Sequence, residues 1–363
     1  MRKKTICIIF GGISVEHEVS IISANSILNN IDLKKYRPVG LYLTKKGIFK
    51  NCKIITKSGK KQFSPQGYLT SFKPGTKKPI QINKNISIEV DVFFPIIHGT
   101  GGEDGSIQGL IKTLDRPFVG CDILGSAITM NKILTKELVK KEGINITKYE
   151  IIENSLNDKK IKMIKKNIGF PCFVKAANLG SSIGVYKANN EKELKLNIKK
   201  SLNFTNNVFV EEAVIKAAEI EVSVLQIKEK IFTSTPGEIE PSSEFYDYNA
   251  KYIDNKSRLK IPTEIFKNTK MISKIKTFSA LAFKILNCEG MARIDFLYGS
   301  TINKSSKKLY LSEVNSIPGF TKISMFPKLL EHDGIKYSSV IHELIQHALY
   351  RHKKEKKLAK ILI

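Results

Sequence analysis

Strand-like and helix-like segments alternate through the first 125 residues, and this alternation restricts the fold more than any other feature of the chain. Residues 4–10 (KTICIIF) form an apolar run of strand length, and 18–29 carry helical periodicity. Residues 38–44 and 91–97 are further strands, the last followed by a helix around 106–114. Short strands separated by helices predict βαβ units and a parallel sheet. A helix over 126–141 opens a second unit, in which 170–175 and 183–187 read as a strand pair joined by the turn Asn178-Leu179-Gly180-Ser181-Ser182. A third unit follows 208–215. It has strands at 219–226 and 231–234, a polar loop near 241–254 and a helix at 267–286, and the chain closes with an amphipathic helix at 338–350. The expected architecture is therefore α/β in three parts, 1–125, 126–215 and 216–363.

A chain of 363 residues has room for two or three domains. No uncharged apolar run reaches transmembrane length, and Met1-Arg2-Lys3-Lys4 leads straight into a strand, so neither membrane nor secretory segment is expected. Five scattered cysteines without a C-x-x-C pattern suit a reducing, cytoplasmic compartment. The net charge of +26 invites a nucleic-acid reading, but the lysines are spread over the whole chain without a binding signature, so no nucleic-acid partner is expected. The densest run, 44–87, holds eleven lysines and no acid. Its aromatics, Phe49, Phe63, Tyr68 and Phe72, are expected to anchor a peripheral excursion to the core. The basic tail 351–360 reads as a solvated charge run.

Chemistry concentrates in four stretches. Residues 291–296 (MARIDF) and 311–315 (LSEVN) alternate apolar and polar side chains, with a turn-like segment between them around Gly299, Ser300, Asn303, Ser305 and Ser306. An antiparallel hairpin centred near Lys304 sets Asp295 opposite Glu313 and Arg293 opposite Asn315, all on one face. Two readings stand: a solvated face with an Arg–carboxylate pair, or an oxygen-ligand Mg²⁺ site. Residues 10–18 (FGGISVEHE) lie where a strand turns into a helix, so Glu16 either holds a cationic amine or belongs to a helix cap formed by Ser14 and Glu18. His98-Gly99-Thr100-Gly101-Gly102-Glu103-Asp104-Gly105 follows a strand end, where ligands bind in open α/β sheets. Lys175 precedes a Gly/Ser hairpin that is either a phosphate clamp or a plain β-turn. His342 and His347 are five apart, which excludes an H-E-x-x-H zinc site.

Taken in order, GGISVEHEVS (11–20), HGTGGEDG (98–105), KAANLGSSIG (175–184), FYDYNAKY (245–252), Arg293–Asp295 and EVNSIPGFT (313–321) resemble the D-alanine–D-alanine ligases of the ATP-grasp superfamily. The resemblance covers nearly the whole chain. It implies a three-domain ATP-grasp fold with a Rossmann-like N-terminal domain and ATP between the second and third domains. It further implies transfer of the γ-phosphate to one D-alanine, then attack by the amine of a second, supplying peptidoglycan synthesis. By motif position, Glu16 holds the first ammonium and shares hydrogen bonds with Ser181 and Tyr252, and His98 is a candidate general base. Lys132, Lys175 and Ser182 bind ATP and Lys251 reaches the γ-phosphate. Backbone groups near Glu212 and Val214 face adenine, and Glu219 meets the ribose. Arg293 and the Gly319 amide stabilise the oxyanion, while Ser324 and Met325 receive the second carboxylate. Asp295, Glu313 and Asn315 hold two Mg²⁺ or Mn²⁺ ions. A homodimer is implied. Sister ligases that use D-lactate or D-serine are the alternative, with Tyr252 favouring an amine nucleophile. Ala176 and Asn249 depart from the pattern, and neither is a contacting group.

Overall fold

The computed structural model describes residues 2–69, 71–152, 156–181, 183–240, 258–266, 268–321 and 323–359. Strand Lys4–Gly11 pairs in parallel with Tyr36–Leu43 on one side and Val92–Pro95 on the other, as the βαβ pattern predicts. Every residue of Lys4–Gly11 after Lys4 is buried, which is why it appears in the sequence as an unbroken apolar run. The sheet is not purely parallel, however. Phe49–Lys57 and Lys60–Leu69, from the lysine-rich excursion, add two antiparallel strands beside Tyr36–Leu43. Phe63 stacks on Phe10 with ring centroids 5.2 Å apart, and Phe49 meets Phe72 edge-on at 5.1 Å, so these aromatics anchor the excursion. The side chain of Tyr68 is not among those described.

The single helix expected over 126–141 is two, Ile123–Met130 and Lys132–Lys141. Asn131 leaves helical geometry between them, and its side-chain oxygen accepts from the amides of Ile133 and Leu134, capping the second helix. Beyond lies an antiparallel sheet in which Cys172–Ala176 sits between Val185–Ala188 and Val208–Glu212, with Tyr149–Ile152 at the edge. The expected strand pair around the Gly/Ser turn is its first hairpin. A third sheet runs Arg258–Lys260, Gly237–Glu240, Val214–Ile227, Met291–Thr301, Lys304–Asn315, with Lys230–Thr233 also on Val214–Ile227. The loop expected at 241–254 lies outside the described residues.

The expected hairpin register is observed, with Arg293 opposite Asn315 and Asp295 opposite Glu313. The turn-like segment is not. Both strands run through it to a tight turn at Ile302 and Asn303, and two bulges then shift the register into the expected pairing.

The first sheet and the last helix, Tyr337–Ala359, share one core, in which Phe10 and Phe94 join Phe320, Phe326, Ile341 and Leu344. The charge run expected to be solvated from residue 351 begins with a buried residue. Arg351 stacks over Phe118 at 4.4 Å, donates to the carbonyls of Phe118 and Gly120 at 2.9 and 2.7 Å, and pairs with Glu289 at 2.6 Å. His342 is engaged by the Tyr36 hydroxyl at 2.7 Å. Among the described residues no helix is long and apolar enough to cross a membrane.

Candidate active site

Strands Lys4–Gly11 and Val92–Pro95 are parallel neighbours, so the loops after both leave the same edge of the sheet. They deliver Glu16 and His98 to one cavity, where Lys132, Ser181, Arg293, Glu313, Asn315, Gly319, Ser324 and Met325 join them from later segments. Glu16 is 6% exposed, and close backbone fixes its carboxylate. A Cβ on Gly99 stands 2.8 Å from its Oε2, and one on Gly180 3.4 Å away. Gly99 also has φ +72°, so glycine is required there twice over. Among the described residues the hydrogen bond expected between Glu16 and Ser181 is not formed, and Ser181 Oγ is shielded from solvent with no partner there.

The hairpin face holds more acid than the sequence suggested. Glu221 on Val214–Ile227 lies opposite Asp295, which lies opposite Glu313, giving three carboxylates in a row across three neighbouring strands. Directly opposed like charges are destabilising, so such a row needs cations. Arg293 supplies one. Its Nε and Nη2 grip Asp295 at 2.8 and 2.7 Å, and Nε lies 3.0 Å from Glu221. Burial works against its charge, but Asp295 and Glu221 outweigh that and lift the guanidinium well above its ordinary value. Asn315 donates to Asp295 at 2.9 Å, and Lys132 lies 4.0 Å from Glu313 while donating to the Leu179 carbonyl at 2.6 Å.

Hard oxygen donors in an acid-rich row fit Mg²⁺ or Mn²⁺ by their chemistry. Among the described residues no three of the His, Cys, Asp and Glu side chains close on one point.

His98 does not have the features of a base. Its Nδ1 faces the Ile317 carbonyl at 3.0 Å, which assigns the hydrogen to that nitrogen, and Nε2 then accepts from the Ser23 hydroxyl at 2.9 Å. Both nitrogens are committed, the residue is 2% exposed, and burial holds it below the usual imidazole range. Glu103 grips the same peptide, accepting from Ile317 N at 3.1 Å and Gly99 N at 2.9 Å. Burial, reinforced by the Glu16 charge, nevertheless pushes its carboxyl up to about 7. Together His98 and Glu103 hold both polar groups of Ile317, two residues before Gly319.

Lys175 does not line this cavity. It pairs with Glu211, which also takes Lys136 at 2.9 Å and the Thr147 hydroxyl at 2.7 Å. Glu212 accepts from the Lys148 amide at 3.0 Å and stands, with Val214 and Glu219, away from the cavity wall. Ser182, Lys251 and Tyr252 lie outside the described residues.

Sequence reasoning passed over Glu103, Glu221, Lys136 and Glu211. Two consecutive acids ending the otherwise apolar run VFVEE were a usable signal for Glu211. Lys136 sits among the buried positions of its helix, beside Thr135 and Val139, where a lysine needs a partner.

Family models for the N-terminus and C-terminus of D-ala D-ala ligases match residues 5–121 and 138–346. A D-alanine–D-alanine ligase of Caldicellulosiruptor bescii is 41% identical over 368 residues, covering 99% of this chain and 98% of that protein. The solved D-alanine–D-alanine ligase of Coxiella burnetii superposes with a TM-score of 0.83 at 29% identity, over 99% of this chain and 98% of the other. The VanG D-Ala:D-Ser ligase of Enterococcus faecalis does so at 0.80 and 30%, over 96% and 100%.

Proposed function

The chain belongs to the D-alanine–D-alanine ligases, ATP-dependent enzymes of the ATP-grasp fold that form a peptide bond, and on that premise we propose how its residues divide the work. The observation that carries the reading is the single cavity in which Glu16, Arg293, Glu313 and the Gly319 loop meet. Glu16 takes the ammonium of the first D-alanine. That substrate's carboxylate attacks the γ-phosphorus of ATP, ADP leaves, and a D-alanyl phosphate results. The amine of the second D-alanine attacks the acyl carbon, and phosphate departs as the amide forms. Phosphoryl transfer of this kind needs positioning and positive charge rather than a protein nucleophile.

Arg293 and the Gly319 amide face the developing oxyanion. Arg293 reaches it by sharing its guanidinium between that oxygen and Asp295. Ser324 and Met325, at the N-terminus of helix Met325–His332, receive the second carboxylate, where the first helical turn favours an anion. Lys132, Lys175, Ser182 and Lys251 take the phosphates; backbone groups around Glu212 and Val214 face the adenine, and Glu219 the ribose. Asp295, Glu313 and Asn315 hold two Mg²⁺ or Mn²⁺ ions, whose charge offsets that of the phosphates. Ser181 and Tyr252 complete the wall around Glu16, and His98 positions Ile317.

The reading carries three domains, 1–125, 126–215 and 216–363, the last boundary falling at the bulge in Val214–Ile227. It also carries a homodimer in the cytoplasm that supplies peptidoglycan synthesis. The likeness to VanG keeps D-serine as a second acceptor to be tested. Incubation with ATP, Mg²⁺, D-alanine and an equal amount of D-serine or D-lactate, followed by product identification, should give D-alanyl-D-alanine. A predominance of either mixed product overturns the assignment.

A further inference from the structure

The cluster around Glu211 contains more than a phosphate lysine requires. Three segments converge on one buried carboxylate, that of Glu211 on Val208–Glu212: Lys175 from strand Cys172–Ala176, Lys136 from helix Lys132–Lys141, and Thr147. Lys136 also donates to Thr147 at 2.9 Å, closing a ring of contacts around Glu211. The Lys136 and Glu211 side chains are 2% and 5% exposed, whereas that of Lys175 is 16% exposed. Two ammonium groups against one carboxylate leave a surplus positive charge, and the more open lysine is the one that presents it.

An isolated Lys175–Glu211 pair is neutral, and a buried neutral pair holds its members together at the expense of outside partners. A second lysine changes that balance. We infer that Lys136 and Glu211 are positioning residues for nucleotide binding: Lys136 neutralises Glu211, so that Glu211 fixes the direction of Lys175 without cancelling the charge that Lys175 offers to the ATP phosphates. This rests on the reading that Lys175 meets those phosphates. The electrostatics are consistent with it. Burial alone raises the Glu211 carboxyl, but Lys136 and Lys175 outweigh burial and hold it well below the usual range. Burial lowers Lys136, and the Lys175 charge adds to that against the pull of Glu211. The neighbouring Glu212 also pulls on Lys136, but at contact distance the cluster sets one carboxylate against two ammonium groups, as a site for an anion should.

Calorimetric titration of ATP and of adenosine, both with Mg²⁺ present, tests this in the full-length protein. Lys136→Met should weaken ATP by about tenfold, the cost of one charge-assisted contact, and leave adenosine within about twofold. Lys136→Arg, which keeps the charge, should stay close to wild type. Adding Glu211→Gln to Lys136→Met frees Lys175 from its neutral pair and should restore most of the lost ATP affinity. A parallel loss of adenosine affinity, or losses that add in the double variant, overturns the proposal, because a merely structural cluster behaves that way. If Lys136→Met does not fold, the double variant, which leaves no unbalanced acid, is compared with Glu211→Gln alone. ATP affinity then has to be similar in the two, and a clear drop in the double variant overturns the proposal. If Lys175→Met leaves ATP affinity unchanged, the phosphate-lysine reading itself fails and takes this proposal with it.

Discussion

Two ionic clusters in this protein are built from the same residue types with opposite surplus charge. The cavity sets Glu16, Glu103, Glu221 and Glu313, with Asp295 behind them, against Arg293 and Lys132. In the cluster on the central sheet two lysines contact one carboxylate, that of Glu211. A carboxyl in each shows the consequence. Glu103, buried and beside another acid, is pushed up to about 7, while Glu211, equally buried but between two ammonium groups, is held down. Burial acts in the same direction on both, so the neighbours decide the outcome. An acid-rich cavity calls for cations and a lysine-rich cluster for an anion; a metal-dependent reaction on a polyphosphate needs both.

The same Glu→Gln exchange on the two sides sharpens the comparison, and Glu313 gives the largest expected effect. Glu313→Gln should lower the rate of phosphate release by at least about a thousandfold, since it removes a charge from the acid row. Thermal unfolding should be nearly unchanged, and wild-type-like turnover refutes the metal role.

Glu103→Gln comes next and is read as stability against pH. The folded carboxyl titrates at about 7 and the unfolded one at 4.5, so its favourable contribution is present below pH 4.5 and lost as pH rises through about 7. Urea unfolding from pH 5 to 8 should therefore favour the variant increasingly, by up to about 3 kcal/mol at the alkaline end. A constant difference shows that Glu103 is not under the influence of its acidic neighbours. Glu211 has the opposite sign, contributing above pH 4.5 and losing that contribution as pH falls.

Gly99→Ala places a methyl group against Glu16 and Ser14 at a positive φ. It should raise KM for D-alanine by about tenfold with a smaller change in KM for ATP. Equal changes in both detach Glu16 from the first substrate. Smallest of all, Glu211→Gln alone enlarges the positive surplus but loosens Lys175, and with the two effects opposed ATP affinity should stay within about threefold of wild type. A loss as large as that of Lys175→Met breaks the charge account of the lysine-rich side.

Much of the acid side was legible in the sequence because a hairpin is local: period-2 alternation in 291–296 and 311–315 was enough to pair Asp295 with Glu313. Glu221 was not legible. It lies on a strand whose pairing with Met291–Thr301 spans some seventy residues, and its apolar neighbours give no sign of which strand comes to lie beside it. Lys136 was hidden by a different misreading. Residues 126–141 carry one helical period, which conceals the cap at Asn131, and without that cap Lys132 and Lys136 have no fixed starting point from which to assign faces. His98 was correctly sent to the cavity, yet its two hydrogen bonds, to Ser23 and Ile317, join residues far apart in the chain, and only they distinguish a clamp from a base.

Arg351 sets a boundary that the charge of the tail conceals. A stop codon after His352 removes the exposed residues 353–358, with the surface pairs of Lys354 and Lys356, and should leave the clasp on Phe118, Gly120 and Glu289 whole. A stop codon in place of Arg351 opens the seam between the first sheet and the last helix. The structural role of the last helix therefore reaches into the basic run, to the first residue of it.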